Sequence, residues 1–362
     1  MGGGATVTCE PCTAGTREEI LKEITAWADD ILADSLPVFW LTGQAGSGKT
    51  TITYTVAKHF DELEEAEHAG WHTVLGGNFL CSHQFEETRQ QIHIIPTLVY
   101  QLAQKSRLYT HALHKADKFD SVDKLTKQMK DLLVGPWQQS ESQRHVELPP
   151  YLIVVDALDE IEDDGGSMFL QSLLETINQC CLRGLKFFVT SRPDPHLVEL
   201  CETFSSKAVC RLQDVPIEHV GSDIKQYLWR KLPNFAGKLE LKTMEQLVGG
   251  LFISTTTILR YLTPCWRMAE SEQRNLLSRL HDQQSFSPRG GQHPLLIDKL
   301  YQQIMRDAFS ELDDILFNSH LCILHTFLCT FECMPVSLTG VLLSESDDTV
   351  CDIGLEGNAQ RP

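Results

Sequence analysis

Three groups of residues in this chain have the types and spacing needed for chemistry on a phosphate ester. The first is Gly43-Gln44-Ala45-Gly46-Ser47-Gly48-Lys49-Thr50, followed by Thr51, and it satisfies the pattern GxxxxGK[ST]. Glycines at these intervals let successive main-chain N–H groups turn inward as an anion-binding nest, and a helix starting at the same point adds its positive end. Lys49 is placed to reach the β- and γ-phosphates of a nucleotide, and the Thr50 hydroxyl to coordinate Mg²⁺. The competing reading of the same string is a plain Gly-rich turn, and the flanking sequence, a buried strand before and a helix after, argues against it.

The second group is Tyr151-Leu152-Ile153-Val154-Val155-Asp156-Ala157-Leu158-Asp159-Glu160-Ile161, an apolar run ending in three acids. Asp156 emerges at the strand end, where a carboxylate holds Mg²⁺ through its water shell. Glu160 is the first choice for polarising an attacking water, and Asp159 competes for that role. The third group is Phe187-Phe188-Val189-Thr190-Ser191-Arg192. The planar guanidinium of Arg192 suits a γ-phosphate sensor, and a surface ion pair is the competing reading.

These side chains need elements to position them. Thr16 to Leu32 has apolar residues at helical spacing, with Thr16 and Glu19 as a capping box. Val38 to Leu41 is a short buried strand that leads through the Gly-rich loop into the helical stretch TTITYTVAKHF. Gly77 to Cys81 reads as a second strand, Thr97 to Gln104 as a helix, and Tyr151 to Val155 as the central strand. Met168 to Cys181 reads as a helix, Leu185 to Thr190 as a strand, and Ala208 to Leu212 as an edge strand. Strand and helix alternating in this way imply an α/β fold with a mostly parallel sheet. Beyond Asp214 the pattern is helical, broken at Gly249-Gly250, and Leu295 to Leu316 reads as one further helix. The expected organisation is a nucleotide-binding domain over 1–213, a small helical domain over 214–281, a linker over 282–294, a further module over 295–345 and an acidic tail over 346–362.

Composition narrows the function classes. With 31 Lys and Arg against 49 Asp and Glu, the formal charge is -18, the wrong sign for gripping a nucleic-acid backbone, so no nucleic-acid partner is expected. No apolar stretch reaches the ~20 residues of a membrane span, and the start lacks a secretory signal, so a cytoplasmic location is expected. Gly2 and Thr6 match the loose myristoylation pattern, without the adjacent Lys cluster that firm anchoring needs. Several of the 12 Cys, among them Cys81, Cys180, Cys322 and Cys329, sit in apolar runs and read as small buried hydrophobes. Cys9 and Cys12 form a lone CxxC with no second pair, too few ligands for zinc. A GTPase base reader is not found, since His114-Lys115-Ala116-Asp117 has the wrong first residue and precedes the Asp156 strand. The mixed charges of the 105–145 insert read as a solvated helix face rather than the Arg-rich lid of a small-molecule kinase.

Together WLTGQAGSGKTT, NFLCSHQFEETRQQIHIIPTLVYQLA, LLVGPW, LIVVDALDEI, FFVTSRPDP, RLQDVP and GGLFISTTTILRYL, in this order over residues 10 to 335, resemble the NACHT class of STAND nucleoside triphosphatases, the NOD-like receptor family, and especially its fungal branch. The resemblance implies a P-loop NTPase sheet of order 5-1-4-3-2, followed by helical and winged-helix-like modules that close over ADP, and opening and self-association on ATP exchange. It implies Gly43 to Thr50 as the Walker A loop, Asp156 as the magnesium aspartate, Glu160 as the water-polarising acid and Arg192 as the sensor. It also places Gly15-Thr16-Arg17 near the adenine. Where many relatives carry Gly-x-Pro against the base, Gly249-Gly250-Leu251-Phe252 has no Pro, so no base contact is assigned. His320 and His325 are candidates for a β-phosphate-sensing histidine, but in the run FNSHLCILHTF both read as packed core histidines.

What the resemblance implies for function is an innate-immune type of signalling switch that binds ATP or ADP with Mg²⁺ and hydrolyses slowly. The alternative is a scaffold of the same fold that keeps its nucleotide without turnover. Neither an effector module before Thr16 nor ligand-reading repeats after Pro335 is recognisable, so the sequence reads as a truncated receptor or a fragment of one, with effector and sensor partners unknown.

Overall fold

Apolar residues in the central strands point alternately to two sides, and both sides are buried, which requires helices on each face of the sheet. The computed structural model describes residues 9–32, 35–65, 72–83, 85–116, 124–141, 150–180, 182–202, 209–263, 268–284, 294–309 and 314–329. The myristoylation pattern, the core of the linker (285–293), the end of the further module and the acidic tail lie outside the described residues.

The elements run α1 (Glu18–Asp29), β1 (Val38–Thr42), α2 (Lys49–Glu65), β2 (Val74–Leu80), α3 (Glu86–Arg89), α4 (Ile94–Lys105) and α5 (Arg107–Ala116). Then come α6 (Leu125–Lys127), which continues through a π-helical stretch at Gln128–Val134 into α7 (Gly135–Glu141), then β3 (Tyr151–Asp156), α8 (Gly165–Gln179), β4 (Leu185–Ser191), α9 (Pro195–Glu202) and β5 (Val209–Arg211). The remainder is helical: α10 (Ile217–Lys231), α11 (Leu239–Val248), α12 (Phe252–Leu262), α13 (Glu270–Gln284), α14 (Pro294–Ala308) and α15 (Asp314–Cys329). The chain divides into two compact units, residues 1–223 and 224–362, with the division inside α10.

The strands form one five-stranded sheet in the order β2-β3-β4-β1-β5, with every pairing parallel. This is the 5-1-4-3-2 order that the family resemblance implies. Phe39 and Leu41 of β1, Leu152 and Val154 of β3 and Phe188 of β4 pack with Ile24 of α1 and Ile52, Val56 and Phe60 of α2. Val38 and Trp40, Ile153 and Val155, and Phe187 and Val189 pack on the other face, against Ile95 and Leu98 of α4, Leu133 of the π-helical stretch and Phe169 and Leu173 of α8. Each such side chain contributes about 1.5–3 kcal/mol, whereas exposed i,i+4 pairs such as Lys22–Glu18 and Lys58–Glu62 contribute about 0.3–0.5 kcal/mol each. The sheet core therefore carries the stability. The LLVGPW segment is part of it: Trp137 is fully buried, donates from Nε1 to the Arg183 carbonyl at 3.0 Å and meets Tyr151 edge-on at 5.8 Å.

Several expectations need correction. The first helix starts at Glu18, with Arg17 in a left-handed conformation (φ 58) at the cap and no capping box, because the Thr16 hydroxyl donates to the Thr13 carbonyl instead. Three elements start earlier than expected: β2 at Val74, α4 at Ile94 and α8 at Gly165. The expected helix over 295–316 ends at Ala308, and a separate one begins at Asp314. Cys322 is exposed and Cys180 only half-buried, while Cys81 is buried as expected.

In the second unit the helices pack through Leu241, Met244, Leu247, Ile258, Leu262, Leu277 and Leu280. The Asp307 carboxylate accepts from Tyr261 and, at 2.8 Å, from Gln303, which ties α12 to α14. No strand occurs among the described residues of this unit, and no helix among the described residues is long and apolar enough to cross a membrane.

On the α1 face, Lys186 of β4 is 5% exposed, and its ammonium donates to the Trp27 carbonyl and, at 2.6 Å, to the Ser35 hydroxyl. Burial pulls its pKa from the usual 10.5 down to about 8, against the opposing pull of Asp30 and Asp29. With the folded value below the unfolded one, the unfolded chain binds the extra proton between those two pH values, so the Lys186 contribution to stability rises with pH across that window. A side-chain NMR titration should find this ammonium deprotonating near pH 8, and the stability of the wild type relative to Lys186→Met should increase from pH 8 to 10.5. A midpoint among those of the exposed lysines would contradict the burial argument.

Candidate functional site

The sheet order brings the carboxyl ends of β1, β4 and β3 side by side, with Thr42 in register with Ser191 and Leu80 of β2 with Asp156. Each end releases one of the three groups singled out by sequence: the Gly43–Thr50 loop from β1, Asp156 from β3, and Thr190 to Arg192 from β4. Ligands of open parallel sheets bind at this edge.

Gln44 and Ala45 are exposed at the tip of the loop, Gly46, Ser47 and Gly48 are half-buried, and Lys49, Thr50 and Thr51 form the first turn of α2. Gly48 has φ 92, a left-handed backbone that other residues resist. The buried Lys49 ammonium donates to the Gly43 carbonyl at 2.7 Å and the Gln44 carbonyl at 3.1 Å. Burial lowers its pKa, while Asp159 and Asp156 oppose that shift.

Asp156 is 2% exposed. Its Oδ1 accepts from Thr53 of α2 at 2.9 Å and from Thr190 of β4, and the Thr50 hydroxyl faces the same carboxylate. Burial raises its pKa, and the Thr190, Thr50 and Thr53 hydroxyls and Lys49 act in the opposite direction. The other oxygen, Oδ2, is buried without a hydrogen-bond partner, as is Ser47 Oγ. A buried carboxylate oxygen left in this way fits a cation ligand. The loop is as closely fitted: a Cβ added at Gly43 would come within 2.8 Å of Ser47 Oγ and 3.0 Å of Leu212. The donor set, a carboxylate and a threonine hydroxyl beside a glycine-rich loop, suits a hard cation bound together with phosphate.

After Asp156 the chain turns through Ala157 (φ 57), whose N–H donates to Thr190 Oγ1 at 3.0 Å, into a single 3₁₀ turn carrying Asp159 and Glu160. Arg192 is half-exposed and holds Asp159 twice, through Nε at 3.1 Å and its main-chain N–H at 2.8 Å, and its Nη2 lies 4.0 Å from Glu160. The His83 N–H, just past β2, points to Glu160 Oε2 at 3.4 Å. The residues of the three groups singled out by sequence thus converge on one edge, with Arg192 engaged in ion pairs there. His320 and His325 are corrected: His325 is exposed, and His320 is only half-buried, with Nδ1 bonded to the Leu316 carbonyl at 2.7 Å.

Sequence reasoning missed Thr53 and the bridging role of Thr190. Thr53 follows Lys49 by one helical turn, which was a usable signal. Thr190 bonds to Asp156 only because β3 and β4 are neighbours, a fact that only the topology supplies. Arg17 was noted only through the resemblance. It is buried, and its Nη2 donates to the Ser47 carbonyl at 2.9 Å.

Residues 15–192 match the family model described as Nephrocystin 3, N-terminal. This stretch, just under half of the chain, is a NACHT-like region on a P-loop NTPase sheet. A search of curated proteins finds no significant relative of the chain. Among solved structures, the chain is similar to the Aeropyrum pernix ORC1 protein in complex with DNA (11% identity, TM-score 0.41, 97% of this chain and 85% of that one). It is also similar to Drosophila ORC bound to DNA (10%, 0.42, 98% and 82%) and to a Walker-type ATPase of Pyrococcus abyssi (12%, 0.38, 98% and 93%).

The acidic turn of the NACHT-type domain rests on Gly166 in α8. A Cβ there would lie 2.0 Å from the Leu158 carbonyl oxygen, whereas one at Gly221 in α10 would meet nothing within 4 Å. Gly166→Ala should lower stability by roughly 3 kcal/mol or more, and Gly221→Ala should raise it by about 0.5–1 kcal/mol, both read from urea unfolding. Similar midpoints for the two variants would contradict the contact.

Proposed function

We propose that this protein is a signal-transduction switch of the NACHT type that binds ATP or ADP and hydrolyses ATP slowly with Mg²⁺. The observation that carries the reading is the buried Asp156, with Oδ2 unpartnered and Thr50 facing it, at the mouth of a Gly43–Thr50 loop that follows a parallel strand and opens a helix. Bound Mg²⁺ would supply charge neutralisation between the phosphates, and Asp156 and Thr50 are the residues to hold it.

The loop amides of Gly46 to Thr51 bind the phosphates, and Lys49 gives up the Gly43 and Gln44 carbonyls for phosphate oxygens. Glu160 accepts a proton from the attacking water, with Asp159 tied to Arg192 beside it. Arg192 senses the γ-phosphate by exchanging its carboxylate partners for phosphate oxygens, which gives ATP and ADP different contacts and so biases a conformational equilibrium. Self-association in the ATP state follows the same logic, with effector and sensor partners outside what the chain specifies. The Arg192–Asp159 pairing also favours a second reading, a scaffold that retains nucleotide without turnover.

Two variants separate these readings. Lys49→Ala should weaken ATP and ADP binding by at least about a hundredfold. Glu160→Gln should keep binding and lower phosphate release by about 10²-fold or more. Undiminished binding by Lys49→Ala would overturn nucleotide capture by this loop, and equal background release by wild type and Glu160→Gln would leave the scaffold.

A further inference from the structure

Arg17 carries a left-handed backbone (φ 58, ψ 22) although it is not glycine. Such a conformation costs on the order of 1 kcal/mol or more and persists only where the surroundings enforce it. It aims a buried guanidinium at two places. Nη2 donates to the Ser47 carbonyl at 2.9 Å, and Nε lies 3.8 Å from Asp223 Oδ2 in α10. The Asp223 carboxylate also accepts from the Arg17 main-chain N–H. A second tie joins the same helices, His219 Nδ1 to Glu19 at 2.9 Å, but both of its side chains are largely exposed.

The contact at Ser47 acts on the phosphate loop through peptide geometry. In a trans peptide the C=O and the following N–H point in opposite directions. A guanidinium that holds the Ser47 carbonyl outward therefore turns the Gly48 N–H the other way, toward the phosphate side of the loop. An anion drawn to that N–H polarises the same peptide and strengthens the carbonyl as an acceptor for Arg17. By linkage, whatever strengthens Arg17 at the loop is felt by its other partner, Asp223.

We propose that Arg17 is a positioning residue that orients the Ser47–Gly48 peptide for phosphate and couples the occupancy of the loop to α10 through Asp223. This rests on the nucleotide-switch reading above and names the first mechanical link of that switch. Because α10 is the helix in which the first compact unit ends, the coupling reaches the element that leads out of the nucleotide-binding domain.

The test measures ATP and ADP affinity together with hydrogen exchange of the α10 amides, with and without nucleotide, in the wild type, Arg17→Gln and Asp223→Asn. In the wild type, nucleotide should slow exchange in α10. Arg17→Gln should bind nucleotide about tenfold more weakly and lose the α10 response. Asp223→Asn, which leaves the Ser47 contact in place, should keep affinity within about twofold and also lose that response. If Arg17→Gln does not fold, Asp223→Asn decides alone. A wild type that binds no nucleotide defeats the switch reading itself. A wild type that binds without any α10 response, or variants that keep both affinity and response, overturn the coupling while leaving nucleotide binding intact.

Discussion

The site depends on a carboxylate being buried at the end of β3. An ionised side chain at 2% exposure is costly unless it is paired or hydrogen-bonded, and Asp156 meets that demand by drawing in Thr53 from α2 and Thr190 from β4. Those bonds fix the first turns of α2 relative to two strands, and with them the loop that precedes α2. The Ala157 N–H on Thr190 then sets where the acidic turn begins. The spacing of these groups is thus a by-product of satisfying one buried acid, whose second oxygen is left without a hydrogen-bond partner.

Much of this was legible in the chain. The loop and the Asp156 strand could be read because each combines a rigid local requirement, glycines at set positions or a run of apolar residues, with a distinct neighbour. The strand order was legible through resemblance, and the alternation of Phe39 with Trp40 and of Val154 with Val155 explains why both sheet faces had to be covered. What escaped depends on long-range neighbours. The hydroxyl of Thr16 found a carbonyl three residues back rather than the helix it precedes. The helix over 295–316 shows no proline or glycine inside it, yet α14 ends at Ala308. His320 and His325 looked apolar by context, but α15 turns His325 outward. Arg17 resembles any polar lead-in residue until the fold sets Ser47 and Asp223 beside it.

The electrostatics of the edge suit a device with two settings. Lys49 and Arg192 are both engaged by the protein's own oxygen atoms, the first by loop carbonyls and the second by Asp159. A phosphate would compete with those oxygen atoms for each cation, so under the proposed function nucleotide entry would be an exchange of partners rather than the filling of an unbonded pocket. Exchange of this kind would stabilise whichever arrangement best matches the bound nucleotide, which is the physical content of the proposed switch.

The central claim is that this edge captures an adenine nucleotide with Mg²⁺. Its most direct test is to denature the purified protein and identify the released small molecules by chromatography and mass spectrometry, before and after incubation with ATP and Mg²⁺. The account predicts ADP or ATP in stoichiometric amount, retained through gel filtration. Protein that is folded yet carries none, and takes up none at millimolar concentration, would contradict it.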